Sequence, residues 1–298
     1  MTATRPWIGF ALAAAVALSF AGNTAAARLA FDAGSTPLTM NASRLATAGV
    51  LLFIVLKAIG VPTALPRRAR LVAWALGPLM FFYQYALLSA LETIPLALAI
   101  LIFYTFPIMT SVVSWTTRRE PVTPAGVLAV LLAFGGLALA LDVTGDRLHP
   151  VGVLLAALSA MGLTAMLQVK HRLVGGGDSR PVTLNMIASA VVTGVVVVAL
   201  DRGVALPAGT AGWTAFSVSA LLFSFAVINM FVAMTMIGPM RMALTMNLEP
   251  IASMLLGVYL LGQPLQSIQI LGGALVIVAV LMVRLAPARH AQGEKSHG

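Results

Sequence analysis

Residues 37–56 read PLTMNASRLATAGVLLFIVL, and residues 181–200 read PVTLNMIASAVVTGVVVVAL. Offset by 144 positions, Pro37, Thr39, Asn41, Ala46 and Leu56 coincide with Pro181, Thr183, Asn185, Ala190 and Leu200. Apolar-biased sequence produces chance identities, but the shared Pro-x-Thr-x-Asn opening is a polar pattern and is harder to dismiss. Each stretch is a run of about 20 mostly apolar residues, the length needed to cross a bilayer as a helix. The pair therefore predicts an all-α membrane protein built from a repeat.

Working outward, the same kind of run recurs along the chain. Ten spans are expected: residues 7–28, 38–56, 71–91, 96–115, 124–141, 151–170, 182–200, 213–236, 241–261 and 266–285. Only 9% of the 298 residues are charged and 60% are hydrophobic. A soluble domain is about 25% charged, so most of this surface faces lipid. The connections are short and carry Pro, Gly or charge, and none is long enough for a soluble domain. The first run also resembles a signal peptide, with Arg5 before it and Ala25-Ala26-Ala27 near its end. It is long for that role, and the repeat needs it as a partner.

A second offset, of 143, sets Phe106-Pro107 on Glu249-Pro250 and Glu120-Pro121 on Gln263-Pro264, with the register slipping by about three residues afterwards. The chain then divides into two five-span halves, residues 1–145 and 146–298. Five is odd, so the second half enters the bilayer from the opposite side, the inverted-repeat plan of transporters. Lys and Arg orient the whole. With the N-terminus inside, the cytoplasmic side holds most of the 18, including Arg67, Arg68, Arg70, Arg118, Arg119, Arg172 and Arg180. The outer side holds Arg28, Arg147 and Arg202. Both termini are expected in the cytoplasm, with the chain in an inner membrane. The net charge of +9 is thus read as topology, and no nucleic-acid partner is expected.

With these features assembled, the chain resembles the EamA-type branch of the drug/metabolite transporter superfamily. In the first half the resemblance rests on Pro95-Leu96-Ala97-Leu98-Ala99, Phe106-Pro107, Arg119-Glu120 and Gly135-Gly136. In the second it rests on Pro250, Leu261-Gly262-Gln263 and Gly272-Gly273, and Arg44 looks like an arginine this family places in its second span. Gln263 departs from the pattern, which usually repeats a Glu there. The resemblance implies ten helices in two inverted five-helix repeats and secondary transport, commonly export of amino acids or other metabolites.

Polar groups inside spans are the candidate site, because an ionisable side chain at the bilayer centre costs about 2.5–3.5 kcal/mol on insertion scales. Glu249 precedes Pro250, which removes a backbone donor and disturbs the turn before it. A carboxylate there suits a proton or a substrate ammonium, so Glu249 is the candidate for proton coupling. Pro107 and Pro250 are the candidate helix breaks. Arg44 shares a helical face with Asn41 three residues earlier. It would hold a substrate carboxylate, pair with Glu249, or snorkel to the outer interface. Asn23, Gln84, Tyr85, Tyr104, Asn185, Asn229 and Asn247 complete the candidate substrate-binding set. Tyr104 and Asn247 are equivalent in the repeat, each three residues before its proline. For any one amide the plainer role is a hydrogen bond between helices, worth about 0.6 kcal/mol on average in one membrane protein.

Nothing points to a catalyst. There is no cysteine, the four histidines lie in connections or the tail, and Gly175-Gly176-Gly177 lacks the lysine and hydroxyl of a phosphate loop. No cofactor or metal is expected. The expected partners are a small-molecule substrate and the lipid bilayer, with a homodimer compatible. The expected activity is secondary export of a small metabolite such as an amino acid by alternating access. The rival readings are an importer of the same fold and a membrane-embedded enzyme acting on a lipid-linked substrate.

Overall fold

A computed structural model describes residues 6–116, 124–141, 149–174, 179–200, 204–237, 242, 245–246, 248–263 and 266–285. Every regular element among them is an α-helix: α1 (Pro6–Asp32), α2 (Pro37–Ala58), α3 (Arg67–Ala90), α4 (Leu96–Phe103), α5 (Phe106–Thr116), α6 (Pro124–Leu141), α7 (Pro150–Val174), α8 (Arg180–Leu200), α9 (Gly209–Ile237), α10 (Leu248–Tyr259) and α11 (Ser267–Leu285).

Six of these are long and apolar enough to cross a membrane among the described residues, while the stretches Leu96–Thr110, Leu248–Tyr259 and Ile270–Ala279 are apolar but shorter. The ten expected spans are therefore not all present as single long helices, and the fourth shows why. It breaks at Tyr104–Thr105 into α4 and α5. Pro107 has no N–H for the carbonyl four residues back. α10 has 12 residues, about 18 Å of helix, against a hydrocarbon core of about 30 Å.

Backbone groups freed in lipid need partners inside the protein, and the sequence places hydroxyls and amides to meet them. Pro78 lies inside α3 and cannot donate to the carbonyl of Trp74. Ser189 of α8 donates its hydroxyl to that oxygen at 2.6 Å. Around the α4–α5 break, Gln168 of α7 donates to the carbonyl of Thr110 at 3.4 Å, and the Thr164 hydroxyl, 2.9 Å from the Ala160 carbonyl of its own helix, also lies 3.3 Å from that of Phe106. At the start of α2, Thr36 caps the helix by accepting from the Thr39 N–H at 3.3 Å, with Pro37 in the first turn where its missing donor costs nothing.

Small residues set the tightest contacts. α1 buries Ala13, Ala17, Ala21, Ala25 and Ala30 and lies along α9, against α10 and beside α2. A Cβ on Gly136 of α6 would sit 2.7 Å from the carbonyl oxygen of Gly272 in α11, and one on Gly77 of α3 would sit 2.2 Å from the Ser189 hydroxyl. Outward positions carry large apolar side chains such as Phe53, Leu131, Val195 and Leu200. That arrangement suits lipid as solvent.

The most extensive neighbour relations come in exchanged pairs. α1 lies on α9, and α7 lies on α3; α2 lies on α9, and α8 lies on α3; α1 meets α10, and α7 meets α4 and α5. α2 meets α8, α6 meets α11, and α4 meets α10. Swapping the helices of residues 6–141 for those of residues 150–285 in order maps this set onto itself.

Candidate functional site

Two hydrogen-bonded groups account for five of the candidate residues. The first lies between α2 and α3. Arg44 is 2% exposed, so it does not snorkel. Its Nε and one terminal nitrogen donate to Asn41 Oδ1 at 3.3 and 3.1 Å, and the same terminal nitrogen reaches Gln84 Oε1 at 3.0 Å. Asn41 is held in turn by donating to the carbonyl of Phe81 at 3.0 Å, and Gln84 donates to the Tyr83 hydroxyl at 3.5 Å. The guanidinium carbon lies 4.6 Å from the ring centre of Phe223 in α9, a cation–π contact. Tyr85 is half-buried and stacks on Phe81, ring centres 6.3 Å apart. The expected pairing of Arg44 with Glu249 is absent: among the described residues the only ion pair is Arg28 with Asp32, at 3.3 Å. The arrangement leaves a buried cation balanced by amide oxygens and an aromatic face.

The second group lies where α4 and α10 meet. Glu249 is 7% exposed and Tyr104 is 3% exposed. The Tyr104 hydroxyl lies 2.7 Å from Glu249 Oε2 and 3.0 Å from the carbonyl oxygen of Met246. That carbonyl also accepts from the Glu249 N–H at 3.1 Å. Tyr104 packs edge-on against Phe103 and Phe106. Glu249 and the buried Pro250 stand in the first turn of α10, where proline is tolerated and an acidic side chain faces the positive end of the helix dipole. The residue that follows α4 and the first turn of α10 thus supply the two sides of one contact.

The remaining candidates stand elsewhere. Asn23 of α1 accepts from the Ser219 hydroxyl of α9 at 3.0 Å. Asn185 is half-buried and donates to the carbonyls of Thr63 and Pro181 at 3.1 and 2.9 Å. It borders an apolar crevice of about 490 Å³ between α2 and α8, with Gly49, Phe53 and Val191. Asn229 bonds back to its own helix at the Phe225 carbonyl, 2.8 Å away. Asn247 lies outside the described residues, as does the side chain of Pro107. Asn41 and Asn185 match in sequence yet hold different partners, so sequence equivalence did not carry over to equivalent chemistry.

Two polar residues were not among the site candidates of the sequence reading. Ser253 is fully buried, and its hydroxyl makes no hydrogen bond among the described residues. It stands one helical turn after Glu249 on the same face, a spacing of four that was there to be read. Gln263 accepts from the Leu96 N–H at 3.0 Å and so caps the start of α4. No local pattern announces a cap that comes from 167 residues away.

A multi-pass helical membrane protein that buries ionisable groups between its spans, one of them where the short helices α4 and α10 meet, is built like a solute transporter. The model of the EamA-like transporter family matches residues 7–141 and again residues 150–285. The chain belongs to the EamA-like transporter family, and so is a membrane transporter of the drug/metabolite transporter superfamily. One solved crystal structure is similar in fold, with a TM-score of 0.60 at 19% identity, covering 92% of this chain and 99% of the other. No curated protein matches at the level of significance required.

Proposed function

We propose that the protein is a secondary exporter of a small zwitterionic metabolite such as an amino acid, working by alternating access in the inner membrane with both termini in the cytoplasm. The moving parts are two inverted halves, residues 1–145 and 146–298. The two family matches and the exchanged neighbour pairs support that division. Substrate sites in such transporters lie between the repeats.

The observation that carries this reading is the Glu249–Tyr104 contact where α4 and α10 meet. A carboxyl group buried there binds a proton or a substrate ammonium as the two halves move. Arg44, which has no carboxylate partner among the described residues, supplies the complementary cation for a substrate carboxylate. Asn23, Asn41, Gln84, Tyr85, Asn185, Asn229 and Asn247 add hydrogen-bonding and aromatic lining. A homodimer is compatible with the broad apolar outer surface.

The test is counterflow in proteoliposomes with a panel of amino acids, osmolytes and nucleoside-like solutes, with and without an imposed pH gradient. An amino acid is expected to exchange above empty vesicles, and the gradient to drive its accumulation. If no solute on the panel moves, the substrate class is wrong. Glu249→Gln is expected to keep exchange and lose the response to the gradient, and intact pH-driven flux in that variant removes Glu249 from coupling.

A further inference from the structure

The Tyr104 hydroxyl carries one proton, yet among the described residues it stands within hydrogen-bond distance of two acceptors. The carbonyl of Met246, at 3.0 Å, only accepts. Glu249 Oε2, at 2.7 Å, accepts when ionised and donates when it bears a proton. Both short contacts are satisfied together in one arrangement: Glu249 donates its proton to the Tyr104 oxygen, and Tyr104 donates its own to Met246. With Glu249 ionised, the Tyr104 proton turns to the carboxylate, a charge-assisted bond roughly twice as strong as a neutral one, and the Met246 carbonyl keeps only the Glu249 N–H.

We infer that Tyr104 is a positioning residue that senses the proton on Glu249: its hydroxyl ties the α4–α5 break to the turn before α10 through the Met246 carbonyl while Glu249 is protonated, and releases that carbonyl when the proton leaves to water. The inference rests on the reading of Glu249 as the coupling carboxyl. The geometry gives the release a direction. α4 is tied near both of its ends to the segment that contains α10. At its start, Leu96 N–H donates to the Gln263 side chain, an amide that does not titrate. At its end stands the Tyr104 contact, which does. Loss of one proton therefore leaves α4 tied at both ends, through Gln263 and through the Glu249 carboxylate, and loosens only the turn that carries the Met246 carbonyl.

Other ionisable groups around Glu249 are few. α1 and α4 are the helices packed on α10. α1 carries none between Trp7 and Ala27; its Arg28 and Asp32 stand at its end, where Arg28 donates to the carbonyl of Leu91. α4 carries none, so Tyr104 just beyond it is the sole ionisable group on that side. Arg241 lies outside the described residues.

The full chain in lipid nanodiscs tests this without a substrate. Amide hydrogen exchange is followed across pH in peptides covering residues 96–106 and 245–255, corrected for the intrinsic pH dependence of exchange, with infrared difference spectra of the carboxylic-acid carbonyl band in parallel. In the wild type, exchange in the peptide covering residues 245–255 is expected to rise as the Glu249 acid band disappears, while that in the peptide covering residues 96–106 stays level. Glu249→Gln donates to Tyr104 through its amide at every pH, so its exchange is expected to stay flat at the wild-type acid level. Tyr104→Phe is expected to keep the titrating band and lose the pH dependence of exchange. Wild-type exchange that ignores loss of the band overturns the inference, as does Tyr104→Phe exchange that follows the wild-type profile. Should Tyr104→Phe fail to fold, Glu249→Gln decides: a wild-type pH profile in that variant also overturns it. Flux separates the two readings. pH-driven flux with pH-independent exchange removes the latch alone. A proton-sensitive latch in a chain without pH-driven flux removes the coupling role and keeps the latch.

Discussion

Arg44 holds its neighbours as much as they hold it. Truncation to Ala strips the Asn41 and Gln84 side-chain oxygens of the donor they share, and each buried orphan costs about 1–3 kcal/mol. Arg44→Ala is therefore expected to lower the thermal unfolding temperature in detergent by several degrees. Unchanged stability with abolished counterflow would instead make Arg44 purely a ligand group. Glu92 gives a second residue-level outcome. It lies in the turn between α3 and α4, where partial burial raises its carboxyl above the ordinary range and the nearby Arg28 offsets part of that rise. A carboxyl whose folded value is raised binds its proton more tightly when folded, so its contribution to stability is present in acid and is lost as pH rises through the folded value. Glu92→Gln is expected to flatten that decline, read as unfolding temperature against pH across the mildly acidic range. At this scale the sequence was legible in part. Arg44 and Glu249 stood out because charge inside an apolar run is expensive, and both are buried. Their partners were less legible, since Gln84, Phe223 and Tyr104 are set by how separate helices meet.

Helix contacts make sharper predictions than helix propensity does. Gly135 and Gly136 are adjacent in α6, but a Cβ on Gly135 meets nothing within 4 Å, whereas one on Gly136 meets the Gly272 carbonyl at 2.7 Å and the Val276 nitrogen at 3.0 Å. Gly135→Ala is expected to stabilise by about 0.5–1 kcal/mol through the lower entropy of the unfolded chain. Gly136→Ala is expected to cost about 1–3 kcal/mol, because backbone atoms must move apart. Thermal unfolding of the two variants side by side checks both, and equal shifts would mean that α6 and α11 are not in close contact. The long helices were legible from apolar run length. The break at Tyr104–Thr105 was legible only as a proline nearby. A proline inside a helix is tolerated elsewhere in the chain, as Pro78 is in α3, because Ser189 arrives from α8 to satisfy Trp74. Whether a proline breaks a helix depends on that visitor, which sequence spacing does not reveal.

For the molecule as a whole, the repeat detected by the Pro-x-Thr-x-Asn pattern has a counterpart in the exchanged neighbour pairs of the fold. An exchange of neighbours follows from a two-fold relation between halves, and the proposed five crossings per half would make that relation an inversion. The inversion has a direct consequence for residues that are equivalent in the repeat. Val61 follows α2 and Ala205 follows α8, and they are 144 positions apart, the same offset that aligns the two helices. Inverted halves put them on opposite faces of the membrane, while parallel halves put them on the same face. The chain has no cysteine, so Val61→Cys and Ala205→Cys each introduce a single thiol into an otherwise unmodified protein. In intact cells an impermeant maleimide is expected to label Ala205→Cys and to reach Val61→Cys only after the membrane is opened, because the proposed orientation, drawn from the Lys and Arg bias, has the 57–70 connection in the cytoplasm. Labelling of both from one side would leave the repeat in place and remove the inversion, and with it the geometric basis for alternating access between the halves.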